Sequence, residues 1–194
     1  MSCLYLDNFF NGIKNDVTTL NFIPRKPVSF ETKILDAFIE HLKKKEIHLV
    51  CFDFDNTLVD SQYGKEFYNP TNVRKRITPL FHKLVELLTA NNIDISIVTY
   101  NMNPVLLHAF DPFPIFQRED SRLGTGKGWH LDSAMQCFNE SRHLEDTNGI
   151  RSTNVLLLDD DPMNTQIATR SGFHCINNEH VFTLKDLAMF IKNS

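Results

Sequence analysis

The ten residues 48–57, HLVCFDFDNT, decide the fold of this chain. They begin with a short apolar run, which is too brief for a helix and has the composition of a buried parallel strand. Asp53 and Asp55 follow that run, and Thr57 comes two residues later. Because residues two apart in an extended segment point the same way, the two carboxylates lie side by side. Such a pair beside an apolar strand is costly unless a cation neutralises it.

Apolar strands and amphipathic helices alternate on both sides of this segment. Strands are predicted at residues 48–54, 93–99, 113–116, 155–158 and 174–176. Helices are predicted from Ser29 to about Lys45, from Thr78 to about Asn91, and at residues 128–138, 162–171 and 184–191. This alternation predicts an α/β fold of three layers, Rossmann-like, with a mainly parallel five-stranded sheet between helices. Residues 1–47 are predicted to be an N-terminal extension with one helix, and residues 48–194 a single domain.

Length and composition exclude several other classes of protein. The 194 residues suit one domain, and 42% hydrophobic with 23% charged residues fits neither a disordered nor a fibrous chain. The longest apolar run is five residues, so no membrane span and no secretory signal are expected. With 24 acidic and 20 basic residues the chain is not basic overall. Its four cysteines lie far apart, which predicts neither a zinc site nor a disulfide framework and favours the cytoplasm or the nucleus.

Polar residues follow three of the predicted strands. These are Asp53 and Asp55, then Thr99 and Asn101, and finally the run of three aspartates at residues 159–161. Parallel sheets bind ligands at the carboxyl ends of their strands, so we expect these groups to meet at one edge. Several carboxylates at one place suit Mg²⁺, a hard cation that prefers oxygen ligands. The alternative is that each aspartate only caps a helix or solvates a loop.

Four segments together resemble the haloacid dehalogenase-like (HAD) phosphohydrolases. Residues 49–58 are similar to that family's first motif, a hydrophobic strand followed by D-x-D-x-T. Thr99 at a strand end resembles the second motif and Lys127 at a helix start the third. The fourth is matched by Asp159 and Asp160 after a strand, with Asn164 further on. The matches run in the family's order across residues 48–178. His130, three residues after Lys127, also resembles the Lys-x-x-His of eukaryotic magnesium-dependent phosphatases.

The resemblance implies a phosphatase that works through Asp53. In that family the first aspartate attacks phosphorus and forms an aspartyl-phosphate. Asp55 is then the acid that protonates the leaving oxygen and later the base that deprotonates water. The implied metal ligands are the side chains of Asp53 and Asp160 and the backbone carbonyl of Asp55. An acid at the position of Asp55 favours phosphatases over dehalogenases, which lack it.

The remaining motif residues are implied to bind phosphate or to support the site. The implied phosphate-binding groups are Thr99, Lys127, the backbone N–H of Phe54, and Asn101. The implied supporting residues are Asp159, Asn164 and Thr57. Beside Lys127, we expect His130 to be half exposed at a helix start and Trp129 to pack over the helix, although either could contact substrate.

The family's usual cap domain has no room in this chain. A cap domain is inserted at one of two places in this family. Only about residues 61–76 are available at the first place and 104–126 at the second, and neither stretch is long enough to fold as an independent domain. The resemblance then implies an open site for bulky substrates such as phosphoproteins or polynucleotide ends. The alternatives are a small-metabolite phosphatase closed by oligomerisation, a catalytically retired binding protein, and a phosphotransferase, which usually needs a cap. The expected partner is a phosphorylated small molecule or macromolecule; no membrane is expected, nucleic acid is not indicated, and the oligomeric state stays open.

Overall fold

Five parallel strands form the centre of the computed structural model, which describes residues 29–60, 69–118, 126–142 and 149–193. They are β1 (Leu49–Phe52), β2 (Asp94–Thr99), β3 (Ile115–Gln117), β4 (Val155–Asp159) and β5 (His174–Asn177). Their order in the sheet is β3-β2-β1-β4-β5, and every neighbouring pair is parallel. The predicted five-stranded parallel sheet is confirmed.

Seven α-helices accompany the sheet in the described part of the chain. They are α1 (Phe30–Lys44), α2 (Pro70–Arg76), α3 (Pro79–Ala90), α4 (Val105–Ala109), α5 (Gly128–Ser141), α6 (Pro162–Arg170) and α7 (Leu184–Asn193). Five of them were predicted. Helices α2 and α4 were not, because elements of seven and five residues are too short to show a helical repeat of apolar residues.

The two faces of the sheet bury separate cores, as the alternation of side chains along a strand requires. In β1, Val50 and Phe52 belong to one core, while Leu49 and Cys51 belong to the other. Helices α1, α3 and α7 contribute to the first core, and α5 and α6 to the second. The predicted α/β/α layering is confirmed. Strands buried on both faces explain why the sequence shows continuous apolar runs there.

Helix α1, in the predicted N-terminal extension, contributes side chains to the first core. Ser29 caps its first turn by accepting a hydrogen bond from the N–H of Thr32 at 3.1 Å. Four of its side chains are buried, among them Phe38, whose ring packs edge-on against Phe190 of α7 at 6.1 Å. The amphipathic pattern of residues 30–44 therefore corresponds to a helix that covers the sheet.

Residues 61–76 and 104–126, the two intervals where a cap domain could be inserted, contain helices α2 and α4. These two helices pack against each other. Arg74 of α2 donates hydrogen bonds to the carbonyl oxygens of Ala109, at 2.9 Å, and His108, at 2.6 Å. Arg74 thereby binds the last carbonyls of α4. Residues 61–68 and 119–125 of these intervals lie outside the described residues. None of the helices in the described ranges is long and apolar enough to cross a membrane.

Candidate active site

The site lies where the order of the strands reverses direction. The chain runs from β1 outward to β2 and β3, then returns to the other side of β1 with β4 and β5. Asp53 directly follows β1, and Asp159 is the last residue of β4. The N–H of Asp53 donates to the carbonyl oxygen of Leu158 at 2.9 Å, which extends the pairing of the two strands. A reversal of this kind leaves a crevice at the carboxyl ends of the strands, where parallel sheets bind ligands.

Lys127 lies between the carboxylates of Asp53 and Asp159. Its ammonium donates a hydrogen bond to Oδ1 of Asp53 and lies 2.8 Å from Oδ2 of Asp159. All three residues are buried, with exposed fractions of 1% for Lys127, 6% for Asp53 and 0% for Asp159. Burying these charges is tolerable only because they compensate one another. Lys127, directly before α5, thus links the ends of β1 and β4 through its two ion pairs.

Burial and neighbouring charge act in opposite directions on these groups. The pKa of Asp53 is raised to about 7 overall, because burial raises it more than the ammonium of Lys127 lowers it, and the Asp159 carboxylate also raises it. A hydrogen bond from the backbone of Phe54 also favours the charged form of Asp53 and lowers its pKa. Burial lowers the pKa of Lys127, but the two carboxylates outweigh this effect and raise it above its usual value. Lys127 is therefore charged at neutral pH.

The Asp159 carboxylate is held by two groups from its own half of the sheet and by Lys127. The amide Nδ2 of Asn164 donates to both of its carboxylate oxygens, at 3.1 Å and 3.2 Å. The backbone N–H of Asp161 donates to Oδ1 at 2.9 Å. Both oxygens of Asp159 are thus engaged in the protein, and this carboxylate serves to orient Lys127. Asn164 acts on Lys127 through Asp159.

Asp160 completes a group of three carboxylates. Asp53, Asp159 and Asp160 each offer one oxygen, and these oxygens lie within 4.8 Å of one another. Asp160 is partly exposed, and its Oδ2 accepts a hydrogen bond from Nδ2 of Asn56 at 3.0 Å. Asn56 has a φ of 56°, a left-handed conformation that asparagine tolerates better than most residues. This turn brings the Asn56 amide across to the end of β4.

The charge and chemistry of these side chains fit a divalent cation. Four carboxylates, those of Asp53, Asp55, Asp159 and Asp160, follow the ends of β1 and β4. Among the described residues, the Lys127 ammonium alone forms ion pairs with this group. A hard cation with oxygen ligands would neutralise the excess negative charge. Because Asp159 is engaged by Lys127 and Asn164, the side chains best able to bind it are Asp53 and Asp160.

Asp55 is held at the same edge by a residue that follows β2. The amide Nδ2 of Asn101 donates to Oδ2 of Asp55 at 3.0 Å and to Oδ1 at 3.3 Å. Burial raises the pKa of Asp55, while this hydrogen bond and the charge of Lys127 lower it. The backbone N–H of Asn101 donates to Oγ1 of Thr99 at 3.0 Å. Asn101 therefore contacts both Asp55 and Thr99.

Two residues that the sequence analysis missed hold the loops of the site. Gln117 at the end of β3 donates to the carbonyl oxygens of Asn101, at 2.8 Å, and Asn103, at 3.0 Å. Asn178, just after β5, donates to the hydroxyl of Thr57 at 3.3 Å and to the carbonyl of His180 at 2.6 Å. Both follow or end strands, so the rule that polar residues gather at carboxyl ends of strands could have identified them.

Aromatic side chains lie behind Lys127. The prediction that His130 is half exposed is wrong: it is 2% exposed, because its ring packs edge-on against Tyr100 at 5.0 Å. Burial and the nearby Lys127 lower the pKa of His130 to about 4, so its ring is neutral at pH 7. Trp129 is 46% exposed, and the Arg118 guanidinium lies 4.9 Å from its ring centre.

No protein-family model matches this chain, and no curated protein matches it in sequence. Solved structures similar to it include a hypothetical protein from Xanthomonas campestris, with 14% identity, a TM-score of 0.46, and coverage of 87% of this chain and 91% of that one. Another is the cobalt-bound deoxy-D-mannose-octulosonate 8-phosphate phosphatase from Haemophilus influenzae, with 11% identity, a TM-score of 0.45, and coverage of 78% and 90%.

A third similar structure is a putative HAD superfamily (subfamily III A) hydrolase from Legionella pneumophila. It has 14% identity and a TM-score of 0.41, and the match covers 85% of this chain and 92% of that one. What each of those proteins binds or hydrolyses is a property of that protein.

Proposed function

We propose that this chain is a Mg²⁺-dependent phosphatase that hydrolyses phosphate monoesters through an aspartyl-phosphate on Asp53. The observation that carries the proposal is the arrangement around the buried Asp53 carboxylate. Lys127 hydrogen-bonds it, the Asp159 and Asp160 carboxylates lie within 4.8 Å, and a second acid, Asp55, is held at the same edge by Asn101. A nucleophile, a fixed cation and a separate acid are the groups that this reaction needs.

The side chains of Asp53 and Asp160 and the backbone carbonyl of Asp55 would hold the cation. When bound, Mg²⁺ supplies positive charge that offsets the repulsion between an anionic nucleophile and an anionic phosphate ester. The donors are oxygen atoms only, which suits Mg²⁺.

In the first step, an oxygen of Asp53 attacks phosphorus in line with the leaving group. The new O–P bond forms as the bond from phosphorus to the leaving oxygen breaks, and Asp55 gives that oxygen its proton. Burial raises the pKa of Asp55, which favours the protonated form that this step requires. Lys127 balances the negative charge on the transferring phosphoryl group.

Groups after β1 and β2 would hold the phosphoryl oxygens during the transfer. The hydroxyl oxygen of Thr99 accepts from the Asn101 backbone, so its hydrogen can be donated to phosphate. The backbone N–H of Phe54 and the Asn101 side chain lie next to the two catalytic aspartates. Thr57, buried at 0% exposure, supports the turn that carries both aspartates.

In the second step, Asp55 acts as a base. It takes a proton from water as the water oxygen attacks the phosphorus of the aspartyl-phosphate. The bond between phosphorus and Asp53 breaks, inorganic phosphate leaves, and Asp55 is protonated again for the next cycle. The same carboxyl thus serves both steps, and a pKa raised by burial places it closer to the working pH.

We also propose a bulky substrate, such as a phosphoprotein or a polynucleotide end, and an enzyme of the cytoplasm or nucleus. Support for the bulky substrate comes from the two intervals that could hold a cap. Their described parts form only the short helices α2 and α4 and the three-residue strand β3. The presence of Asp53, Asp55 and Lys127 together speaks against a retired binding protein, because the proposed reaction uses all three.

The test is hydrolysis of p-nitrophenyl phosphate with and without Mg²⁺. Turnover should require the metal and should vanish in Asp53→Asn. In Asp55→Asn we expect turnover to fall by about 10²–10⁴-fold, because loss of an acid–base group costs that much. The good leaving group still allows the first step, so phosphate should accumulate on Asp53 as an acid-stable protein adduct.

Asp161→Asn is the matched control. Asp161 lies in the same acidic run but caps α6 by accepting from the N–H of Met163 at 2.8 Å, and asparagine can cap equally well. Its turnover should equal that of the native protein. Full activity in Asp53→Asn would overturn the mechanism.

A further inference from the structure

Tyr100 lies between two parts of the site and belongs to none of the four motifs. It follows Thr99 at the end of β2, and its side chain is partly buried. The ring faces the Lys127 ammonium, and the hydroxyl reaches Asn164. Tyr100 therefore contacts the cation of the third motif and the amide of the fourth at the same time.

The ring of Tyr100 offers its face to the buried ammonium. The Nζ atom of Lys127 lies 5.4 Å from the ring centre, within the range of a cation–π interaction. This attraction is strongest where water is excluded, and Lys127 is 1% exposed. The Tyr100 ring also makes an edge-on contact with His130 at 5.0 Å. Because His130 is neutral at pH 7, it supports the ring without adding a charge that would repel Lys127.

The hydroxyl of Tyr100 begins a chain of hydrogen bonds that ends at Lys127. It donates to Oδ1 of Asn164 at 3.3 Å, which leaves the amide nitrogen of Asn164 facing Asp159. That nitrogen donates to both Asp159 oxygens, and Oδ2 of Asp159 accepts from Lys127. An asparagine flipped by 180° would present its oxygen to a carboxylate, so the donor at Tyr100 helps select the productive orientation.

We propose that Tyr100 is a positioning residue that fixes the Lys127 ammonium against Asp53, through its ring directly and through its hydroxyl by way of Asn164 and Asp159. The inference rests on the proposed function, in which Lys127 balances charge in the transition state. A displaced ammonium stabilises that charge less well, while the ground-state binding of substrate changes little. Loss of Tyr100 should therefore lower kcat and leave KM nearly unchanged.

Two variants separate the ring from the hydroxyl. Tyr100→Phe keeps the ring, and loss of one neutral hydrogen bond should lower kcat about fivefold. Tyr100→Leu removes both features and should lower kcat about 10- to 100-fold. The control is Met102→Leu, two residues further along the same loop and 55% exposed, which should leave kcat unchanged.

A double-mutant cycle distinguishes positioning from packing. If the hydroxyl acts through Asn164, adding Tyr100→Phe to Asn164→Ala should cause no further loss of kcat. Additive losses, or kcat unchanged in Tyr100→Leu while the native enzyme is active, would overturn the proposal.

A second measurement is independent of activity. In protein labelled with ¹³C-lysine, the Lys127 side-chain signal, assigned with Lys127→Arg, should be shifted upfield by the Tyr100 ring. The shift should persist in Tyr100→Phe and disappear in Tyr100→Leu, and its persistence in Tyr100→Leu would overturn the proposal. A native protein that hydrolyses no phosphate monoester but shows these shifts would refute the proposed function and uphold the placement of Lys127 by Tyr100.

Discussion

Replacing Lys127 by methionine tests whether the buried charges of the site depend on one another. Methionine keeps much of the volume of the lysine stem but leaves the Asp53 and Asp159 carboxylates without their shared cation. Breaking a buried ion pair by removing one partner typically costs about 3–5 kcal/mol. For a chain of this length, that loss corresponds to a fall in Tm of about 6–20 °C.

The matched control is a lysine in an exposed ion pair. Lys83 lies 2.7 Å from Glu31, and the two side chains are 49% and 37% exposed. Because such pairs contribute about 0–1 kcal/mol, Lys83→Met should change stability little. Urea denaturation followed by fluorescence of Trp129, the one tryptophan of the chain, measures both variants.

The loss in Lys127→Met should also depend on pH and on Mg²⁺. The pKa of Asp53, about 7 with the ammonium of Lys127 beside it, should rise further without that ammonium. A carboxyl whose folded pKa lies above its unfolded value stabilises the fold below the unfolded pKa and loses this effect as pH rises through the folded pKa. The variant should thus be closer to the native protein at pH 5 than at pH 8, and Mg²⁺ should restore part of the difference at pH 8. Equal losses in Lys127→Met and Lys83→Met at pH 8 would refute the reasoning.

Two further predictions concern the neighbours of Lys127. Gly126 has a φ of 54°, and a Cβ atom there would lie 3.1 Å from Cβ of Ile167, so Gly126→Ala should lower stability by about 1–3 kcal/mol and reduce turnover. Gly128→Ala should change neither stability nor turnover, because a Cβ atom there meets nothing within 4 Å. Equal falls in Tm for Gly126→Ala and Gly128→Ala would count against the prediction. His130, with its pKa lowered to about 4, stabilises the fold when neutral, and this contribution is lost as pH falls from 6.5 through 4. Denaturation of His130→Gln across that range should show a shallower loss of stability than the native protein, and an identical slope would contradict the assignment.

The amino-acid sequence determined the layers of the fold because burial on both faces leaves a local signal. The apolar runs in β1 and β4 stand out in the sequence, and the helical repeat of α1, α3 and α5 is long enough to recognise. Helices α2 and α4 are too short for such a repeat. They depend on tertiary contacts, such as the hydrogen bonds of Arg74 to Ala109 and His108.

The sequence also determined which segments meet at the site, because parallel strands all end at the same edge. Asp53, Thr99 and Asp159 could be placed there from the strand positions alone.

Only the tertiary structure decided which side chains contact one another at that edge. Lys127 and Asp53 are 74 residues apart in sequence, and no local pattern shows that this lysine would lie between Asp53 and Asp159. Local spacing likewise could not show that Asn164 and Lys127 engage Asp159 and leave Asp160 better able to bind a cation, nor that Tyr100 reaches both Lys127 and Asn164. Such contacts depend on the direction of each side chain after the strands have paired, whereas the positions of the strands follow from burial, which the sequence records residue by residue.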